Sequence, residues 1–206
     1  MNIDCTLIGD GSSDKMLIPS IKWLLQEYFP QKAINIEYAD LRPILSKKAS
    51  LEEKICLAIE LFPCDLLFIH RDVEKETYQK RQEEIDMALK KRQCSIPKTV
   101  SVIPCRMSEA WLIINAEAIR VASGNPNGKI NLNLPNINQL EALTNPKRDL
   151  EILIKNATEL NKKRLKRFKV HYAIHRVAEN ITDYSPLRNL SAFQALELQI
   201  EQLNFD

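Results

Sequence analysis

The chain has 206 residues, 45% hydrophobic, 27% charged and 6% aromatic, which supplies one substantial core and excludes a disordered tail. Lys and Arg number 29 against 27 Asp and Glu, a formal charge of +2, so the molecule is no basic nucleic-acid coat and any basic partner site must be local. No apolar run approaches the roughly 18 residues that span a bilayer, and MNIDCTLIGD places no positive charge ahead of an apolar region, so a cytoplasmic protein is expected.

Residues 2–9 run apolar through Ile3, Cys5, Leu7 and Ile8 and end in Gly9-Asp10-Gly11-Ser12-Ser13-Asp14. Met16, Leu17, Ile18, Ile21, Leu24, Leu25 and Tyr28 then recur at helical spacing, giving strand, loop and helix. A second strand is expected at 34–39 and a helix at 51–61. Residues 65–70, Asp-Leu-Leu-Phe-Ile-His, form the compact apolar run of a strand buried on both faces of a parallel sheet. Residues 74–92 read as a charged helix contributing Ile85, Met87 and Leu89, and 99–103 as a strand stopped by Pro104, with helix again from about 108.

This alternation predicts an α/β fold, a mostly parallel sheet with right-handed crossovers, over about 1–120. Residues 123–147 hold Pro126, Pro135, Pro146 and seven Asn and read as a long irregular connection. Residues 150–177 and 191–203 look helical. They are expected to form a C-terminal helical cap, about 148–206, on a single domain 1–206, because about 55 residues bury a poor core alone. The five cysteines (Cys5, Cys56, Cys64, Cys94, Cys105) make no C-x-x-C pair, are odd in number and sit in apolar stretches. Reduced core thiols are therefore expected, rather than a zinc cluster or a disulfide framework. Trp23 and Trp111 fall on helix faces and are expected in the core.

Three acidic clusters follow strands. Only four glycines occur in the chain, and two flank Asp10. The loop is not G-x-G-x-x-G, because Asp14 stands where the third glycine would allow close helix packing, and no G-x-x-x-x-G-K-[ST] exists. An acid inside such a loop repels phosphate unless a cation intervenes, which suggests a metal-dependent site. The plain alternative for Asp10 and Asp14 is a turn residue and a first-turn helix charge. In His70-Arg71-Asp72-Val73-Glu74, the i, i+2 carboxylates share one side of an extended segment and suit hard-oxygen ligation of a divalent cation; the alternative is a polar strand exit. In Pro104-Cys105-Arg106-Met107-Ser108-Glu109-Ala110-Trp111, Glu109 opens a helix, where Ser108 could be a plain cap. All three clusters lie where an open α/β sheet binds ligands, outside the carboxyl ends of its strands, so Asp10, Asp72, Glu74 and Glu109 are expected to converge on one cation.

The Gly-acidic-Gly loop with its downstream Asp14, the His70–Glu74 strand exit and the segment Pro104-x-Arg106-Met107-x-Glu109-Ala110-Trp111-Leu112 resemble the small TOPRIM-like proteins of the DUF4276 kind. Fainter likeness runs through Asn145-Pro146-Lys147 and Leu187–Phe193. The resemblance implies a Rossmann-like TOPRIM fold holding Mg²⁺ or Mn²⁺ for phosphodiester chemistry, as in topoisomerases, primases and overcoming-lysogenization-defect nucleases. It also implies an ATPase partner in defence against foreign DNA. Asp10 stands where that family has Glu, and the pair is Asp-x-Glu rather than Asp-x-Asp. On this reading the metal ligands are Asp72 and Glu74, with Asp10 a ligand or acid/base and Glu109 a further ligand or its neighbour. His70 handles a proton, and Arg106 and Arg71 neutralise phosphate beside Gly11, Ser12 and Asp14. The competing reading is a non-catalytic regulatory or nucleic-acid-binding subunit.

Lys162, Lys163, Arg164, Lys166, Arg167 and Lys169 place six positive charges in eight residues, with Leu165, Phe168 and Tyr172 as a buried helical stripe. The segment is either a solvated face or a surface for the phosphate backbone of nucleic acid. His171 and His175 are four apart but lack the Glu of H-E-x-x-H.

Overall fold

A computed structural model describes residues 2–46 and 48–205. Strand β1 (Asn2–Ile8) leads through a 3-10 helix, Ser12–Leu17, into α1 (Ile18–Tyr28), and then come β2 (Ala33–Tyr38), α2 (Leu51–Leu61), β3 (Leu66–His70), α3 (Tyr78–Lys91) and β4 (Lys98–Val102). The four strands form an all-parallel sheet in the order β2-β1-β3-β4, in register through Cys5 opposite Leu66 and Phe68 opposite Val100. This is the expected α/β, Rossmann-like architecture. Period-two alternation divides the side chains: Ile3, Cys5, Leu7, Leu66, Phe68, Val100 and Val102 enter one buried cluster, whereas Ile8, Leu67 and Ile69 enter another with Ile55 of α2 and Ile85 of α3. β3 is buried along its whole length, which is why its sequence is an unbroken apolar run.

Beyond β4 the chain forms a 3-10 helix, Ser108–Leu112, α4 (Ala116–Ala122), a 3-10 helix at Ile137–Ala142, α5 (Pro146–Ala157), α6 (Lys162–Leu165), α7 (Val170–Asn180) and, after a further 3-10 turn, α8 (Ser191–Glu201). Apart from α6, which buries no residue, these helices share the larger cluster with β1, β3 and β4, and Trp111 meets Phe193 edge to face at 5.2 Å between centroids. The C-terminal helices are thus a layer of the same core. α8 also covers an edge: the Gln199 side chain accepts the Ser101 amide (2.9 Å) and donates to the Ser101 carbonyl (3.1 Å) along the free side of β4. Trp23 is only half-buried and carries the Arg188 guanidinium at 5.0 Å. Among the described residues no helix is long and apolar enough to cross a membrane.

Four local expectations are corrected. The charged helix begins at Tyr78 rather than 74, because Glu74 adopts a left-handed φ of 53° and the Thr77 hydroxyl caps the helix by accepting the Lys80 amide at 3.2 Å. The helical stretch 150–177 is broken, with Glu159 left-handed (φ 51°) and Asn161 capping only four residues of α6. Leu165 and Phe168 are half-buried and Tyr172 is 62% exposed, so the expected buried stripe does not form. The connection 123–147 contains a 3-10 helix and the start of α5.

The cysteines are corrected as well. Cys56 and Cys94 form a disulfide between α2 and the connection that follows α3, and of the remaining thiols only Cys5 is fully buried. Sequence spacing carries no trace of this pairing, because it arises from two helices packing on the same face of the sheet.

Candidate functional site

The carboxyl ends of β1 and β3 mark the point where successive crossovers leave in opposite directions, the place where a doubly wound sheet opens a crevice. The loop after β1 closes on its own anion. The Asp14 carboxylate accepts the amides of Asp10 (2.8 Å) and Gly11 (3.0 Å), with the Ser13 hydroxyl at 3.3 Å. Gly9 is required there, since a Cβ would lie 2.3 Å from Asp14 Oδ2. Ser12 Oγ accepts from Arg42 (3.0 Å), and the Gly11 carbonyl accepts the Tyr38 hydroxyl (2.6 Å). The phosphate-cradling role expected of Gly11, Ser12 and Asp14 is therefore corrected: the amides a phosphate would need are already bound to a carboxylate.

His70 ends β3 and is 2% exposed. Its Nδ1 donates to the Val102 carbonyl (2.9 Å), which orients Nε2 toward Ser108 Oγ (3.2 Å), Asp72 Oδ1 (3.6 Å) and Asp14 Oδ2 (4.0 Å). Asp72 Oδ1 accepts both the Ser108 amide and its hydroxyl at 2.9 Å. Burial raises the Asp72 pKa; His70 and the Ser108 hydroxyl pull it back, and the Asp14 charge raises it further. The Glu109 side chain is 5% exposed, and its pKa is also raised, first by burial and then by Asp72 and Asp14, against its own amide and Lys147 at 3.8 Å. Asp14, His70, Asp72, Ser108 and Glu109 thus form one polar cluster with an excess of negative charge.

Asp10 and Glu74 are not in it. Asp10 is 51% exposed and pairs with Lys54 (2.9 Å) and Arg71 (2.7 Å), and Arg71 continues to Glu84 (3.3 Å). Burial pushes the Asp10 pKa up, but the Lys54 hydrogen bond and the Arg71 charge outweigh it and hold the group below its ordinary value. The left-handed turn at Glu74 swings its carboxylate to Arg81 (3.5 Å), where it is 61% exposed. Arg106, also left-handed (φ 65°), accepts the Glu74 amide at its carbonyl (2.8 Å) and is exposed at the rim with Lys147. The four-carboxylate convergence expected from the sequence is therefore corrected to Asp72 and Glu109, because Asp10 and Glu74 are drawn off by basic partners. Among the described residues no three His, Cys, Asp or Glu side chains are gathered as a metal-holding group.

No family model, curated protein or solved structure matches this chain. The resemblance to TOPRIM-like proteins thus rests on the quoted residues alone. Ser108 plays a larger part than its spacing suggests: it reads as a helix cap, yet it joins His70 and Asp72 from 36 to 38 residues away. Lys162, Lys163, Lys166, Arg167 and Lys169 are all exposed, whereas His175 is half-buried and His171 exposed. A cavity of about 370 Å³ opens on the β2 side of Asp10, between Tyr38, Arg42 and Lys54.

Proposed function

We propose that the chain is a Mg²⁺- or Mn²⁺-dependent phosphodiesterase acting on nucleic acid, with Asp72 and Glu109 as its metal ligands. The supporting observation is the pair itself: a half-buried Asp72 and a buried Glu109 at the crevice, both raised in pKa by desolvation, with one lysine 3.8 Å from Glu109. A divalent cation fits this donor set, since Mg²⁺ needs only one or two carboxylates and fills its remaining positions with water and phosphate oxygens. When bound, the ion would supply Lewis acidity toward a phosphodiester.

The chain's own residues have separate tasks on this reading. Ser108 fixes one oxygen of Asp72 through two hydrogen bonds, so the second oxygen is presented in a set direction. His70 is sealed from solvent and acts as a positioning residue that orients Ser108. Arg106 and Lys147, exposed at the rim, offset phosphate charge as the backbone enters. An ATPase partner and a role in defence against foreign DNA enter the proposal through the resemblance alone.

The test is incubation of the purified chain with labelled DNA and RNA in Mg²⁺, Mn²⁺ or chelator. Cleavage should require metal and disappear in Asp72→Asn and Glu109→Gln. Cleavage that survives both substitutions would overturn the assignment. The ion pairs on Asp10 favour a second reading, a non-catalytic nucleic-acid-binding subunit, because the loop acid that would move protons is already engaged. Metal-dependent thermal stabilisation without cleavage is the result that reading expects.

A further inference from the structure

Between α5 and α7 the molecule concentrates positive charge without balancing it. Lys162, Lys163, Arg164, Lys166, Arg167 and Lys169 are exposed, and among the described residues none of them is in an ion pair. The acid just upstream, Glu159, is occupied by the amides of Lys129 and Ile130. α7 then turns Ala173, Ile174, Val177 and Ala178 into the core, which leaves His171, Tyr172 and Arg176 on its outer side. Tyr172 is 62% exposed, and its ring lies 4.1 Å from that of His171.

Packing does not explain an aromatic pair in that position. A tyrosine exposed just after a run of six unpaired cations loses the burial that usually stabilises its ring, and among the described residues its hydroxyl has no hydrogen-bond partner. Rings exposed beside a run of cations are, however, what unstacked nucleobases use: phosphates follow the charges and bases stack on the rings. A duplex keeps its base faces covered and gains nothing from such a ring. The backbone agrees, since α6 ends after four residues at Leu165 and α7 begins only at Val170, so the segment is not one straight helix to lie along a groove.

We propose that residues 162–176 bind a single-stranded polynucleotide, with the six cations along its phosphates and Tyr172 and His171 stacked on its bases. The inference rests on the reading of the protein as one that acts on nucleic acid, and it names the form of strand. The surface adjoins the candidate site. α7 packs against the 3-10 helix that carries Asp14, and Lys15 of that helix is near enough to His175 to weigh on its charge.

The test measures binding of the full chain, in chelator so that cleavage plays no part, to an oligothymidine of about 20 nucleotides and to a duplex of the same length. The single strand should bind more tightly. Tyr172→Ala should weaken it about 5- to 150-fold, the loss of one stacked base, and leave duplex affinity unchanged, while Tyr172→Phe keeps wild-type affinity. Replacing Lys162, Lys163, Lys166 and Lys169 by Gln should weaken binding and flatten its salt dependence. A silent Tyr172→Ala, an equal loss on duplex, or tighter capture by phosphatidylserine vesicles than by the strand would overturn the proposal. Circular dichroism confirms folding, which an exposed side chain does not govern. In an Asp72→Asn, Glu109→Gln background Tyr172→Ala should weaken strand binding by the same factor as in the wild type, so loss of cleavage and loss of this surface are read separately.

Discussion

The Asp14 carboxylate accepts the backbone amide of Asp10 at 2.8 Å, so the loop after the first strand is filled by an anion from its own chain. Its second bond, to Gly11 at 3.0 Å, means that truncation orphans two donors at once. Asp14→Ala should therefore cost about 2 kcal/mol, a fall of about 4–8 °C in thermal midpoint for a chain of this size. Asp14→Asn, which keeps an acceptor oxygen, should cost less. An unchanged midpoint in Asp14→Ala would show that the loop holds without this bond.

Metal binding and pH act on Asp72 and Glu109 in opposite directions. Both pKa values are raised in the folded state, so their contribution to stability is full below the ordinary values of 3.8 and 4.5 and is lost as pH rises through the folded values. In chelator, the wild type should lose stability over that rise relative to the Asp72→Asn, Glu109→Gln double variant, which should be the more stable of the two at neutral pH. Added Mg²⁺ or Mn²⁺ should reverse the order by stabilising only the wild type. Thermal melts across pH, with and without metal, check both statements, and equal metal shifts in the two proteins would remove the ligand assignment.

Asp10→Asn separates the loop acid from the metal pair. It should retain the metal-induced thermal shift and cost no more than about 1 kcal/mol, the range of exposed ion pairs. The folded pKa of Asp10 is depressed, so its stabilisation is present above 3.8 and lost as pH falls through the folded value; the variant's acid-side slope should be correspondingly flatter. Loss of the metal shift in Asp10→Asn would restore it as a ligand.

Reduction of Cys56–Cys94 should lower stability by up to about 4 kcal/mol in the chain-entropy account, given a separation of 38 residues. Denaturant titration with and without a dithiol reductant measures it, and Cys56→Ser should abolish the difference. A difference that persists in Cys56→Ser would point to another thiol.

The sheet was legible wherever burial alone dictates sequence: Leu66 to Ile69 must be apolar because both faces of β3 are covered. The helix at 51–61 begins where expected, with the Ser50 hydroxyl accepting the Glu53 amide. The site was only half legible. Spacing puts Asp10 and Asp14 in the same loop, but which of them turns inward is decided by Gly9 and by Lys54 and Arg71, 44 and 61 residues from Asp10. Glu74 fits an i, i+2 pair only if the chain stays extended, and a left-handed turn ends that extension at Glu74 itself. Leu165, Phe168 and Tyr172 match a helical period that the chain breaks between Leu165, where α6 ends, and Val170, where α7 begins.

The glutamine that grips Ser101 bears on how copies of this molecule meet. A bare outermost strand offers alternating donors and acceptors to any extended chain that drifts past, and sheets merge across such borders into fibres or swapped pairs. Here both groups of the mid-strand residue are occupied by one side chain anchored on a helix. Gln199→Ala would unblock that border without touching the crevice. Self-association of that variant at high concentration, against a wild type that stays dispersed, would identify the C-terminal helix as the guard that keeps the sheet at four strands.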